Sequence, residues 1–384
     1  MRRRHHFFDP NKSRSLRIND CLARFLIVLL AMGATSRPLW ADEVEKPLPL
    51  SFERPEVTLL RAPLASGDTD PRDLYDVEHY RLDLTVLPDS GRIAGTIDIA
   101  LQAIEDLSTV VIDMTDNLEL LSSVSRRGPA IPTRLAGGQV RLELAEPLSP
   151  GERDTLSLTY RGAPGPIYFG GFNFFGHHGS GDTAFPLVAS LSEPDRAHTW
   201  WPCKEKLTDK ATTEMRVTAP SSYQVASNGL RELRVDHVDG TATTVWRSRY
   251  PMTTYNVSIA LTNYIEWSDQ HFSSEWGHEL PLQQMVFPED SAAARTDLSA
   301  TSSIMSALEA RLGPYPFADP SIGIEKYGHA EVVWTGAMEH QTMTSLGNGF
   351  IRGNHSGDWG IAHEMAHQWF GNSVSPADWK DTWL

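Results

Sequence analysis

Three residues near the C-terminal end of the sequence have the types and spacing of a hydrolytic metal site. They are His363, Glu364 and His367, in the run Ile361-Ala362-His363-Glu364-Met365-Ala366-His367-Gln368-Trp369-Phe370. On an α-helix, residues four apart share a face, with Cβ atoms roughly 5–6 Å apart. His363 and His367 can therefore each aim an imidazole nitrogen at one tetrahedral Zn²⁺, whose bonds to nitrogen are about 2.0–2.1 Å. Glu364, beside the first ligand, is set to take a proton from a water whose pKa the ion lowers towards ~7. That is the chemistry of metal-assisted peptide-bond hydrolysis. The plainer alternative is an amphipathic helix with two incidental histidines.

The surroundings frame such a helix. Asp358 or Ser356 can cap its start, and Gly371-Asn372 supplies a stop. Ile361, Met365, Ala366, Trp369 and Phe370 would bury it. A further glycine and third histidine do not follow His367, because Phe370 and Ser373 occupy those positions. The other common arrangement draws a third ligand, a glutamate, from a later helix.

Upstream, alternation dominates. Tyr80, Leu82, Leu84 and Val86 alternate with polar residues, as do Ile93, Ile97, Ile99 and Leu101 after the turn Pro88-Asp89-Ser90-Gly91. This predicts a hairpin with one buried face. Further runs at Val140–Leu144, Leu156–Tyr160, Met215–Val217, Thr243–Trp246 and Tyr255–Leu261 predict an antiparallel sheet domain over 71–270. The glycine-rich segment Gly162–Asp182, with Tyr168, Phe169, Phe172, Phe174 and Phe175, reads as a loop that either borders a cleft or plugs a sheet edge. From 271 to 384 the pattern becomes mixed α and β. Leu298, Met305, Leu308 and Leu312 have helical spacing, Gly313-Pro314-Tyr315-Pro316 ends that helix, and a strand-like run lies near Glu331–Trp334.

Composition bounds the rest. The chain has 384 residues, 40% hydrophobic, with a formal charge of -15, which suits a globular protein that repels nucleic acid and anionic lipid. Residues 1–41 have the form of a cleaved secretory signal. A basic stretch precedes the short apolar run Phe25-Leu26-Ile27-Val28-Leu29-Leu30-Ala31-Met32, and Leu39-Trp40-Ala41 offers a small residue at the cut. No membrane-spanning segment is expected after its removal; an uncleaved leader would act as an anchor. Residues 42–70, rich in proline and charge, read as a linker or surface arm. Cys21 lies in the leader and leaves Cys203 alone, so no intrachain disulfide is expected. Export without disulfides points to a periplasmic or secreted bacterial enzyme.

Two motifs together carry a family resemblance. Gly336-Ala337-Met338-Glu339-His340 followed by the His363–His367 motif resembles the aminopeptidase N family of zinc gluzincins. Tyr75-Asp76-Val77-Glu78-His79-Tyr80, Trp201-Pro202-Cys203, Asp209-Lys210-Ala211 and Ser227-Asn228-Gly229 resemble that family's sheet-domain signatures. The resemblance, over about residues 71–384, implies an N-terminal β-saddle domain followed by the start of an α+β thermolysin-like catalytic domain. It implies one Zn²⁺ on His363 and His367, and Glu364 as general base. Glu339 becomes the carboxylate that pairs with a peptide's free α-ammonium, so that only the first peptide bond reaches the metal. Gly336, Ala337 and Met338 belong to the edge that binds substrate backbone, where a side chain at Gly336 or Ala337 would hinder close approach. Glu193 falls where the family has a second amine-binding glutamate, with Leu191 in place of the usual glutamine. His340 replaces the usual asparagine and would be free to titrate near neutral pH.

The resemblance puts the third ligand, a glutamate, about nineteen residues past His367, just beyond Leu384, and the family's transition-state tyrosine further still. Asp378 or Asp381 is the substitute within reach. The sequence is therefore expected to be an inactive fragment of an active enzyme. Its expected partners are peptides with a free N-terminus and no nucleic acid. Two alternatives share these motifs: an epoxide hydrolase of the leukotriene-hydrolase type, and a non-catalytic scaffold.

Overall fold

A computed structural model of the chain describes residues 70–164 and 170–382. The leader, all of the arm except Asp70, and both Tyr168 and Phe169 lie outside those residues.

Alternation builds the first part. In the strand Tyr75–Leu87, the side chains of Tyr75, Val77, Tyr80, Leu82, Leu84 and Val86 are buried. It pairs antiparallel with Arg92–Ala103, in the register Leu82↔Ile97. The turn between them is as expected: Pro88–Ser90 forms one 3-10 turn and Gly91 takes φ 61. On its other side Tyr75–Leu87 runs parallel to Ala211–Pro220, a departure from a purely antiparallel sheet that the long connection allows. These strands sit inside a ten-stranded sheet edged by Leu230–Asp236 and Leu107–Asp113. Four of the five further expected runs fall within its strands.

Two expectations change. Tyr255–Leu261 is not one strand: Thr254–Asn256 closes as a turn, Val257 N–H donating to Thr254 O, and pairing begins at Ile259. The glycine-rich segment is not all loop. It contains the strand Gly171–His178, which edges a four-stranded sheet beside Phe185–Leu191. Phe172 and Phe174 keep the period of two that the surrounding glycines obscure, and Phe172 packs on Trp200.

From Ile265 a five-stranded sheet takes over, ordered Ile265–Ser273, His278–Val286, Tyr327–Val332, Thr344–Gly347 and Ala337–Met338. It is parallel in the middle and antiparallel at both ends. The run read near Glu331 starts earlier, at Tyr327, and ends at Val332. Helices Ser291–Asp297 and Thr301–Leu312 follow the second strand, and Gly313, at φ 92, ends the latter. Leu298 and Met305 join Ile361, Met365 and Trp369 in one apolar cluster around the helix Asp358–Ala366. Each such buried side chain contributes roughly 1.5–3 kcal/mol. Among the described residues no helix is long and apolar enough to cross a membrane.

Polar ties join the early sheets to the later one. Asn228, buried, donates from Nδ2 to Asn256 O at 2.9 Å and to Gln341 O at 2.7 Å. Its Oδ1 accepts from Ser258 N–H at 2.8 Å. Gly229 donates its N–H to Thr342 Oγ1 at 2.7 Å. At φ 72, with an added Cβ placed 2.0 Å from Arg247 O, position 229 admits only glycine. Lys210 Nζ donates to Asn372 O and Ser373 O, just past His367, at 2.7 and 3.1 Å. Removing a buried partner leaves its donors and acceptors unsatisfied, at about 1–3 kcal/mol each. Asn228→Ala should therefore cost about 3 kcal/mol, read as a lower urea midpoint at unchanged m-value. An unchanged midpoint would show that this asparagine does not tie the sheets together.

Candidate active site

The helix carrying His363 is regular from Asp358 to Ala366. Its N-cap is Gly357 and makes no side-chain capping bond, so neither Asp358 nor Ser356 caps it. The approach to the helix is held from another element. Asp297 accepts the N–H groups of Arg352, Gly353 and His355 at 2.6–2.7 Å. His367 stands at the C-cap with near-helical angles, and its N–H still donates to His363 O. The two imidazoles are thus brought together, Nε2 to Nε2 at 3.2 Å with ring planes 86° apart. His367 Nδ1 lies 2.9 Å from Phe370 O. A carbonyl only accepts, so Nδ1 carries the proton and Nε2 keeps its lone pair.

Both imidazoles line a cavity of about 430 Å³ with Glu364, Glu339, Glu193, Ala337, Tyr255, Asp381 and Thr382. Among the described residues, Ala337–Met338 is the edge strand of the five-stranded sheet, with no strand paired on its outer side. Glu339 follows directly. Its carbonyl accepts from Asn372 Nδ2 at 2.6 Å and from Gln368 Nε2 at 3.3 Å, which fastens the edge to the turn after His367. Met338 is buried in the sheet and does not line the cavity. Gly336 also faces elsewhere. A Cβ there would meet no protein atom within 4 Å, and its φ of 95 by itself favours glycine.

The charges press on one another. Burial, and then the charges of Glu339 and Glu193, push the Glu364 carboxyl well above its usual range. Burial also raises Glu339, and burial together with the Glu339 charge raises Glu193 to about 7. Burial holds His363 and His367 below the ordinary imidazole value. Three carboxylates therefore share a cavity with two neutral imidazoles, an arrangement short of positive charge. Among the described residues, no third histidine, cysteine or acidic side chain brings a ligand atom within 4.8 Å of both nitrogens. Asp381 lines the cavity without reaching them, and Asp378 is tied to Lys380.

Comparison with known proteins places this geometry. Residues 76–256 match the peptidase M1 N-terminal domain and residues 334–384 the peptidase family M1 domain. The chain belongs to peptidase family M1. The M1 chain is 29% identical over 210 residues to glutamyl aminopeptidase of Sus scrofa, covering 52% of the chain and 21% of that protein. With endoplasmic reticulum aminopeptidase 1 of Rattus norvegicus it shares 23% over 325 residues, 80% of the chain and 34% of the relative. A crystal structure of an M1 zinc metallopeptidase from Deinococcus radiodurans superposes with a TM-score of 0.65 at 27% identity, covering 80% of this chain and 66% of that one. The chain thus spans roughly a fifth to a third of these curated relatives' length.

Three cavity and support residues of the M1 chain escaped the sequence reading. Gln368 lies inside the motif's own run and Asn372 in the stop just after it, and both could have been noticed as amides beside a ligand. Tyr255, whose hydroxyl donates to Gly371 O, has no local signal because it arrives from a turn between the early sheets. His340 corrects an expectation. It is fully buried, with Nδ1 2.9 Å from Ser345 Oγ and Nε2 unpartnered, and burial brings its pKa down to about 3. It does not titrate near neutrality. Burial does the same to His329, also to about 3. Between pH 6.5 and 3 the unfolded chain binds protons that these two native imidazoles refuse, so stability is present above 6.5 and lost on acidification. His340→Asn removes one such proton and should flatten the acid-side fall of stability, followed by urea denaturation across that range. Identical slopes in both proteins would contradict it.

Proposed function

We propose that this chain carries the metal-binding and amine-binding parts of a zinc aminopeptidase, which hydrolyses the first peptide bond of peptides with a free N-terminus. The observation that carries the reading is the meeting of the His363–His367 pair and the Glu339 carboxylate in one cavity beside a free sheet edge. The donor set fits zinc. Two imidazole nitrogens 3.2 Å apart match the edge of a tetrahedron with bonds of about 2.0–2.1 Å. Bound there, Zn²⁺ supplies Lewis acidity and an activated water near neutral pH.

The chain's own residues do the rest. Glu364, raised in pKa and buried, is suited to accept the proton of the attacking water and pass it to the leaving amine. A peptide laid along Ala337–Met338 would add a strand to the free edge, which fixes its carbonyl relative to the imidazoles. Its α-ammonium would sit between Glu339 and Glu193, supplying positive charge where two acids repel. Selection of the first bond then follows from distance alone. The third metal ligand is proposed to be the family's glutamate, beyond Leu384, so the activity belongs to a protein that carries it. The basic and apolar leader supports export to the periplasm or medium.

In that protein, Glu339→Ala should lower kcat/KM for free-amine peptides about thirtyfold or more, the worth of one buried charge partner, with zinc content unchanged. N-acetylated peptides should be hydrolysed poorly by both forms. Equal rates on blocked and free peptides would sink the exopeptidase reading. An epoxide substrate turned over in preference to aminoacyl arylamides would favour the epoxide hydrolase instead.

A further inference from the structure

A second cluster of ligand-type side chains lies apart from the cavity. His271 comes from the strand Ile265–Ser273, His278 from its hairpin partner His278–Val286, and Glu309 from the helix Thr301–Leu312. They are 0, 6 and 3% exposed, and one ligand atom from each lies within 4.8 Å of the others. Neither the peptide chemistry proposed above nor the family motifs use any of them.

The contacts are unequal in an informative way. His271 Nε2 is hydrogen-bonded to Glu309 Oε2 at 3.0 Å. His278 Nε2 lies 2.7 Å from Glu309 Oε1, yet off the N–H axis, so this buried nitrogen has no hydrogen-bond partner. A donor that close to a carboxylate would normally turn to meet it, because an unmade buried hydrogen bond costs about 1–3 kcal/mol. A nitrogen and an oxygen this close with no hydrogen bond between them is how two ligands of a common ion stand. The outer contacts suit the same purpose. His271 Nδ1 is 3.0 Å from Ser302 Oγ, a partner that fixes the ring with Nε2 turned towards Glu309, where an ion would take the place of the hydrogen bond between them. Glu309 Oε1 also accepts Tyr315 N–H at 3.0 Å, which orients the carboxylate.

We propose that His271, His278 and Glu309 hold a divalent transition-metal ion of the zinc class, at a buried structural site distinct from the His363–His367 pair. Two imidazoles and one carboxylate select such an ion over calcium or magnesium, which take oxygen ligands. The site clamps the hairpin to the helix at the foot of the loop Gly313–Tyr315. That loop in turn supports the turn after His367: Trp369 Nε1 donates to Gly313 O and Pro314 O at 3.2 and 3.1 Å, and its ring packs on Tyr315. The ion would therefore brace the base of the catalytic helix without touching substrate.

The test uses the full 384-residue chain with His363→Ala and His367→Ala, so that failure of the aminopeptidase reading and failure of this one stay separate. The protein is stripped with chelator, loaded with Zn²⁺ alone, desalted and assayed by elemental analysis. About one equivalent should remain, falling to about a tenth or less when His278→Ala or the near-isosteric Glu309→Gln is added. X-ray absorption of the loaded background chain should show two imidazoles and only nitrogen or oxygen donors. If the added variants fail to fold, that spectrum decides alone. A background chain holding well below one equivalent, or zinc scattering without imidazole, overturns the proposal and leaves the cluster a hydrogen-bonded hub.

Discussion

Thr342 sits at φ 63, a backbone region that a β-branched residue enters only under compulsion and at a cost of about 1–3 kcal/mol. Three separate elements compel it. Gln368 Oε1 accepts its N–H, Gly229 N–H donates to its hydroxyl, and Lys326 Nζ donates to its carbonyl. The first contact belongs to the turn after His367, the second to the early sheets, and the third to the residue just before the strand Tyr327–Val332. Glu339 precedes Thr342 by three positions and shares its partner Gln368, so the same junction helps to place it, together with the bond from Asn372. The strain is the mark of a junction whose neighbours over-determine it.

Burial gives the cavity its chemistry. A carboxylate removed from water resists ionisation, and a second or third nearby resists more. Glu364 and Glu193 meet both conditions, burial alone raises Glu339, and burial holds both imidazoles below their ordinary value. Such a site gains most from ligands that bring charge with them. The fold therefore favours cationic occupants before any contact is made, and a neutral or acylated amine would forfeit that gain.

How much was legible in the sequence follows from the range of the forces involved. The His363–His367 spacing is local geometry, so the pairing of the two rings could be anticipated. The hairpin of Tyr75–Leu87 with Arg92–Ala103 was likewise written in alternation and in the turn at Gly91. What misled was non-local. Phe172 and Phe174 looked like loop aromatics until a strand partner at Phe185–Leu191 gave them a face. His340 looked titratable because burial, which keeps it neutral, is a property of the packed sheet. Asp297 gives no hint in the sequence that it will anchor a loop more than fifty residues away. The Glu193 position came from the resemblance, and the cavity it lines is assembled from segments that only folding brings together.

The contact from Lys210 has a consequence for dissecting or recombining proteins of this architecture. Its ammonium, depressed to about 8 by burial, caps two carbonyls just past the second histidine, although it sits at the start of a strand in the opening sheet. A chimera that swaps the amino-terminal portion between relatives would thus import or delete a cation at the catalytic helix. An isolated carboxy-terminal portion would expose those carbonyls to solvent and free the turn they close. The boundary between the two portions is one that a gene can cross easily and the electrostatics of the site cannot.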